Sequence, residues 1–184
     1  MDVRRVVTGH DRQGRSVFVA DERVAPLELE LFPGWAFHAL WGGDAIPAFP
    51  DDGSQPQMHL YFPAPEGFRF SLSTIPPQDT PPPQDIDLAA AEADVERGLP
   101  GLLAHMEPDD PGMHTTNTID MEVILSGEVV LELDDGQERR LRPGDAVVQN
   151  GTRHRWRNPG REPCVMAIFM VGARRVASGT TGPH

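Results

Sequence analysis

A histidine and an aspartate stand at the two ends of the segment HTTNTID, residues 114–120. Imidazole nitrogens and carboxylate oxygens are ligands that divalent transition metals accept, so His114 and Asp120 could belong to a metal site. A second carboxylate, that of Glu122, follows two residues later and could move a proton. The same segment could also be only the edge of a β-barrel, and the elements that position it bear on that choice.

The composition is that of a globular chain with an acidic surface. Its 184 residues, 39% apolar and 24% charged, suffice for one domain with a core. The net charge of −12 argues against nucleic acid and anionic membranes, since both need a basic face. The sequence has no run of 18 apolar residues and no signal-peptide pattern, so we expect a cytoplasmic protein. The single cysteine, Cys164, lies in the apolar run PCVMAIFMV and is expected to be buried.

Short alternating apolar runs, separated by glycine and proline, predict an all-β protein. The start, RRVVTGHDRQGRSVFVADERV, reads as two strands around a turn, and WAFHALWG and FRFSLSTI read as two more. Between residues 114 and 172 the runs IDMEVILSG, EVVLEL, QERRLR, DAVVQ, HRWRN and CVMAIFMVG follow at even spacing. Asp135-Gly136 is a favoured hairpin pair. This pattern is typical of a barrel or jelly roll.

The chain divides into four parts that we expect to form one domain. Residues 1–80 form an N-terminal β extension that packs on the barrel or swaps with a partner, and residues 81–111 form a proline-rich linker with one short helix. Within that linker DIDLAAAEADVERG predicts an amphipathic helix with Asp85 or Asp87 as N-cap and Gly98 at its end. Residues 112–176 form the barrel core, and residues 177–184 a flexible tail.

Two motifs in the barrel core resemble those of the cupin superfamily. In the first motif Gly127 is the closing glycine, Asp120 stands in the glutamate position, and His114 and Thr116 stand in the two histidine positions. The second motif is matched by PGDAVVQNGTRHRWRN, with Gly144, Asp145, Gly151, His154 and Asn158. The resemblance implies an all-β double-stranded β-helix, or jelly-roll barrel, with an N-terminal strand extension and one short helix.

The resemblance also implies a cofactor, one divalent metal ion that could be zinc, iron, manganese or nickel. Its ligands would be His114, Asp120 and His154. Thr116 replaces the second histidine of the family's motif and is a poor ligand for such metals, so one of four ligands would be missing. A two-histidine, one-carboxylate set can still bind a metal and leave positions open for substrate or water.

Strand alternation predicts that Glu122 faces the same side of its strand as Asp120 and Ile124. It could then be a fourth metal ligand or a catalytic general base. Alternatively, Glu122 faces solvent or pairs with an arginine such as Arg153 or Arg155. Five further side chains are candidates for binding substrate, although each could instead serve packing or a strand position: Thr116, Gln149, Trp156, His38 and His59.

Three functions remain open at this point. The leading hypothesis is a metal-dependent enzyme of lyase, dehydratase, isomerase or cyclase type, acting on a small and fairly apolar organic substrate. The first alternative is an iron(II)-dependent dioxygenase that uses the same residues, and the second is a non-catalytic small-molecule-binding cupin. We also expect a homodimer formed largely by residues before Gly53, because a partner would cover the edges of the N-terminal strands.

Overall fold

Strands supply most of the regular secondary structure in residues 1–176, the part of the chain that this computed structural model describes; the tail predicted at 177–184 lies outside it. The strands are β1 (Val3–His10), β2 (Ser16–Val24), β3 (Ala36–Gly43), β4 (Phe68–Ile75), β5 (Thr118–Ser126), β6 (Val129–Glu132), β7 (Glu138–Leu141), β8 (Ala146–Asn150), β9 (Arg155–Arg157) and β10 (Cys164–Gly172). One α-helix, α1 (Leu88–Gly98), and two 3₁₀ turns, Leu103–His105 and Asp134–Gly136, complete the described elements. The prediction of an all-β jelly roll with one short helix is confirmed.

The strands form three antiparallel sheets. The largest has the order β3-β4-β10-β5-β8, a second has the order β7-β6-β9, and β1 and β2 form a hairpin of their own. The two larger sheets remain separate, because no strand pairing joins the five-stranded and three-stranded sheets into one ladder. Strands β6, β7 and β9 are only three or four residues long, and they pair only with one another.

Strand β5 alternates strictly between buried and exposed side chains. Asp120, Glu122 and Ile124 are buried, whereas Met121 and Val123 are exposed on the other face. The inward face packs on a core of Ile75, Ile124, Val129, Cys164, Met166, Ile168 and Met170. The alternation predicted from the sequence is therefore confirmed, as is the burial of the Cys164 thiol.

Helix α1 begins and ends where its sequence predicts. The Asp87 carboxylate accepts a hydrogen bond from the Ala90 amide at 3.2 Å, which makes Asp87 the N-cap rather than Asp85. The helix buries Val95 against Leu29, Leu99 and Leu102 in a second apolar cluster beside the main core. It thus closes one end of the space between the sheets.

The β1–β2 hairpin is hydrogen-bonded to the rest of its own chain, and the His10 amide donates to the Asp51 carbonyl at 2.7 Å. Arg5 donates a hydrogen bond to the Leu40 carbonyl at 2.7 Å, while Phe18 at the hairpin remains 80% exposed. The homodimer expected through this region stays a prediction. Within residues 1–176 the structure contains no helix long and apolar enough to span a membrane.

Candidate functional site

A cavity of about 140 Å³ lies between the two larger sheets, and its walls are mostly apolar. Four ionisable side chains expected at the site line it, namely His114, Asp120, Glu122 and His154. The other lining residues are Phe32, Trp35, Phe37, Tyr61, Phe62, Ser73, Leu102, Met106, Gly112, Trp156, Met166, Ile168 and Met170. The structure thus brings the candidate catalytic and metal-ligating residues to one cavity, together with Trp156.

Asp120 and Glu122 form a buried carboxyl pair on the inward face of β5. Their residues are 4% and 3% exposed, and Asp120 Oδ1 and Glu122 Oε2 have no hydrogen-bond partner among the described residues. Burial raises the pKa of Asp120 to about 6, although the Thr118 hydroxyl opposes that shift. Burial, together with the charge of Asp120, raises the pKa of Glu122 to about 8. At neutral pH the pair therefore holds about one proton.

Within the described part of the chain, no arginine forms an ion pair with Asp120 or Glu122. Arg153 forms ion pairs with Glu107, Asp110 and Asp134, and it holds the last two at 2.7 and 2.9 Å. Arg155 forms its ion pairs with Glu132 and Asp110. The alternatives in which Glu122 faces solvent or pairs with either arginine are therefore wrong. The arginines instead fasten the segment before β5, which lines the cavity through Met106 and Gly112.

His114 and His154 lie side by side and line the same cavity. Each backbone amide donates to the other residue's carbonyl at 2.9 Å, and the ring centroids are 4.2 Å apart. The Nδ1–H of His114 donates to the Gly112 carbonyl at 3.1 Å, and that of His154 donates to the Thr152 carbonyl at 2.9 Å. Because a carbonyl only accepts, the neutral tautomer leaves each Nε2 without a proton and able to accept one or to bind a metal.

Both imidazoles are held in the neutral form. Burial and the neighbouring His114 lower the pKa of His154 to about 4, and burial also lowers the pKa of His114. The site at neutral pH therefore combines two neutral imidazoles with two carboxyl groups that share about one proton.

The donors fit the expected three-ligand metal set only in part. Within residues 1–176, no group of three or more histidine, cysteine, aspartate or glutamate side chains is arranged to hold a metal ion. At this cavity His114 and His154 are oriented as metal-binding histidines are, because the Nδ1 atom of each ring is fixed by a backbone carbonyl. Asp120 lines the same cavity but does not complete a group with them.

Aromatic side chains enclose the polar groups. Trp35 stacks on Phe37 with centroids 5.8 Å apart, and Trp156 meets the His154 ring edge to face at 6.1 Å. Tyr61 contacts Phe62 at 4.8 Å. These rings exclude water, which strengthens every electrostatic interaction in the cavity.

Tyr61 is a functional candidate that the sequence reasoning missed. Burial raises the pKa of its phenol to about 12; the Ser73 hydroxyl opposes this shift. The carboxylates of Asp120 and Glu122 add to the increase, so the phenol lies near both. Tyr61 belongs to the irregular segment between β3 and β4, for which strand periodicity gives no signal. Its being the only tyrosine in the chain was the one available hint.

The remaining substrate-binding candidates do not line this cavity. Thr116 is fully buried, and its hydroxyl lies 2.7 Å from that of Thr118. Gln149 and His38 are buried as well, each with side-chain nitrogen that has no partner among the described residues. His59 lines a different, outer cleft, where its Nδ1 contacts the Asp44 carboxylate at 2.7 Å.

Comparison with known proteins agrees with this architecture. The family model described as a cupin domain matches residues 102–172, the part that contains both motifs and the two larger sheets' central strands. Residues 102–172 of this chain thus match a cupin domain, in agreement with the jelly-roll arrangement of its sheets. The match also covers the turn segment that closes the cavity.

Some curated relatives match a short part of the chain at higher identity, and others match most of the chain at lower identity. Oryzines biosynthesis cluster protein J of Aspergillus oryzae is 39% identical over 62 residues, which is 34% of this chain and 35% of that protein. The cupin-domain-containing oxidoreductase srdB of Neurospora crassa is 27% identical over 175 residues, 92% of this chain and 73% of that protein. With three of the relatives, the match spans only about a third of their length, at 35%, 31% and 31%.

Among solved structures, a Cupin 2 conserved barrel domain protein from Salinispora arenicola matches 83% of this chain and 90% of its own. The identity is 19% and the TM-score is 0.43, so this likeness carries no argument about the site.

Proposed function

We propose that this chain is a cupin-type enzyme that transfers protons on a small, apolar organic substrate, in a reaction of lyase, dehydratase, isomerase or cyclase type. One observation carries the proposal, the pair of buried carboxyl groups that face an apolar cavity with unpartnered oxygens. Burying such groups without partners is costly, and sites that keep them are commonly the places where pKa values are tuned for catalysis.

The two carboxyl groups have different roles because their pKa values differ. At pH 7 Asp120, with its pKa of about 6, is mostly ionised and acts as the general base at Oδ1. Glu122, with its pKa of about 8, is mostly protonated and acts as the general acid. A proton leaves a substrate carbon for Asp120 while Glu122 gives one to a substrate heteroatom, so the pair again holds one proton afterwards.

The neutral histidines and the aromatic walls orient the substrate. Each Nε2 can accept a hydrogen bond from a substrate hydroxyl, and a neutral ring does not compete with Glu122 as an acid. The surrounding rings favour an apolar substrate and hold it against the carboxyl pair.

The relatives support a place in specialised metabolism. Several are named as proteins of biosynthesis clusters or as cupin-domain-containing oxidoreductases. Those names belong to the relatives; for this chain we propose a cupin-type enzyme of a similar biosynthetic setting.

The proposal predicts that the protein abstracts a proton from carbon in a probe of suitable size. We choose 5-nitrobenzisoxazole, because loss of its carbon-bound proton breaks its N–O bond and releases a coloured phenolate that absorbance reports. The rate should rise through pH 6 and fall above pH 8. Asp120→Asn should lower it about 100-fold, and Glu122→Gln should remove the decline above pH 8.

Glu128→Gln is the matched control for this experiment, since Glu128 is a half-exposed carboxylate paired with Arg140. It should retain the wild-type rate and pH profile. A wild-type rate no higher than that of Asp120→Asn at every pH would contradict acid–base catalysis and favour a non-catalytic binding protein.

A metal-dependent form of this chemistry is the second candidate, favoured by the orientation of the histidine pair. His114 and His154 would hold the ion through Nε2, with substrate or water in its other positions. A bound divalent ion would supply Lewis-acid polarisation of a substrate oxygen, and iron(II) would open oxidative chemistry instead.

Metal analysis by mass spectrometry separates the two candidates. If the second holds, protein prepared without chelator contains about one zinc, iron, manganese or nickel ion per chain, and His154→Ala contains none. His59→Ala is the control, because His59 lies in the outer cleft and should leave the metal content unchanged. Wild-type protein that neither carries nor takes up metal would eliminate this candidate and leave proton transfer intact.

A further inference from the structure

A second cavity of about 330 Å³ adjoins the first, and the two share the lining residues Phe37, Tyr61 and Met170. We propose that this second cavity, which we term the rear chamber, binds an uncharged apolar tail of the substrate while the carboxyl pair acts on its head. This inference rests on the proposed function, since it names the class of substrate for the same site.

The walls of the rear chamber are apolar. Leu27, Phe37, Trp41 and Leu99 are among its apolar lining residues, and Ser71 and Arg69 are its polar members. Ser71 is 7% exposed and its hydroxyl has no partner among the described residues. A single hydroxyl in such walls does not offset the desolvation of a charged group.

Arg69 does not provide a site for an anionic tail. Its residue is 5% exposed, and its guanidinium donates to the carbonyls of Leu60, Gly43 and Phe68 and to the Asp44 carboxylate. The charge is therefore neutralised within the chain. A tail that entered the chamber would meet mostly hydrocarbon and aromatic carbon, which disfavours a carboxylate or phosphate within it.

The sizes of the two cavities assign the parts of the ligand. The first cavity, at about 140 Å³, suits one small ring, since a cavity of roughly 150 Å³ in another protein binds benzene. The rear chamber offers more than twice that volume and contains no acid–base pair. A ligand made of one ring and an unbranched alkyl tail would bind with its ring beside Asp120 and Glu122. Its alkyl tail would lie in the rear chamber, behind Tyr61.

Tyr61 forms the partition between the two spaces. Its ring meets Phe37 edge to face at 6.3 Å and Phe62 at 4.8 Å. Its backbone amide donates to the Pro100 carbonyl at 2.9 Å, which fixes this irregular segment against the end of α1. An alkyl tail that extends from the first cavity into the rear chamber would therefore run along the Tyr61 ring.

Two serines on β4 make a matched pair of variants. Ser71 and Ser73 are both buried and lie on one face of the strand, yet Ser71 lines only the rear chamber and Ser73 only the first cavity. Ser71→Met should fill the rear chamber, and Ser73→Met should fill the first cavity. Ala39→Leu fills the rear chamber from β3, opposite Ser71, and serves if Ser71→Met does not fold.

The experiment measures binding of 4-n-alkylphenols, from phenol to 4-octylphenol, by titration calorimetry. Each added methylene should tighten binding by about threefold to fourfold until the chamber is full. In Ser71→Met the gain should stop after fewer carbons with phenol affinity unchanged, whereas Ser73→Met should weaken every member of the series. Circular dichroism checks that each variant is folded.

Two results would contradict the proposal that the rear chamber binds an apolar tail. One is a wild-type affinity that does not depend on chain length, including the case in which no alkylphenol binds. The other is a chain-length profile that neither Ser71→Met nor Ala39→Leu changes. Because the measurement needs no turnover, proton abstraction from 5-nitrobenzisoxazole remains an independent test, and its failure alone would contradict the proposed function.

Discussion

Glu122→Gln is expected to stabilise the protein strongly at alkaline pH while abolishing its general acid. The pKa of Glu122 rises from its ordinary value of 4.5 to about 8 in the folded chain, so the folded state binds its proton more tightly than the unfolded state. Between those two values unfolding releases a proton, and the stability of the wild type therefore falls as pH rises. Above pH 8 the full cost of the buried carboxylate applies.

The variant keeps the shape of the side chain and removes that cost. Its free energy of unfolding should equal the wild type's near pH 4 and exceed it by on the order of 3 kcal/mol at pH 9. For a chain of this size the melting temperature should rise by roughly 5–10 °C. Thermal unfolding followed by circular dichroism at several pH values measures the difference.

Glu132→Gln is a control with the opposite sign. Glu132 is similarly buried, at 7% exposed, but ion pairs with Arg155 and Arg157 lower its pKa to about 2. A carboxylate with a lowered pKa contributes stability above its unfolded value of 4.5, and that stability is lost as pH falls toward 2. Glu132→Gln should therefore destabilise at neutral pH. An unchanged pH dependence of stability in Glu122→Gln would mean that Glu122 is not buried as a protonated acid.

Glu122 and Glu132 are both buried, but they differ in their charged neighbours and therefore in their expected roles. Glu132 contributes to an ion-pair network that fixes the three-stranded sheet, whereas Glu122 faces a cavity that no lysine or arginine of residues 1–176 lines. A group that reduces stability and has no structural partner is kept for some other reason, and catalytic sites commonly carry such costs. In Glu122→Gln the expected gain in stability and the loss of acid catalysis have the same cause, which is the removal of a buried carboxyl group that can lose its proton.

The sequence predicted the features of the fold that depend on local spacing. Alternation on β5 placed Asp120 and Glu122 on one face, because a strand has only two faces. Asp87 and Gly98 marked the ends of α1, because capping depends on adjacent residues. The two motifs likewise brought His114 and His154 together, and the two residues form an antiparallel bridge with each other.

The sequence could not predict what depends on distance across the cavity. Asp120 faces the same space as the two histidines, but convergence on one point depends on the separation of two sheets that no strand pairing joins. His38 and Gln149 alternate correctly on their strands yet do not reach the cavity. Tyr61 reaches it from an irregular segment, where no periodicity indicates a direction.

Gly127→Ala is expected to destabilise the chain by more than 3 kcal/mol, because it combines backbone strain with a collision. Gly127 joins β5 to β6 with a φ of 72°, a left-handed conformation that costs a residue with a side chain roughly 1–2 kcal/mol. A Cβ atom there would lie 2.6 Å from the Pro163 carbonyl oxygen and 2.8 Å from Cys164 Cα. Both are backbone atoms, so the start of β10 must move.

Gly136→Ala isolates the conformational part of this effect. Gly136 has nearly the same φ, 67°, but a Cβ atom there would meet nothing within 4 Å. Urea unfolding should give a loss of roughly 1–2 kcal/mol for Gly136→Ala and clearly more for Gly127→Ala. Because β5 and β10 pair beside Gly127 and both line the cavity, Gly127→Ala should also lower proton abstraction in the protein that remains folded. Equal losses for the two variants would show that the contact with β10 does not constrain this turn, and that another feature fixes the position of the carboxyl pair.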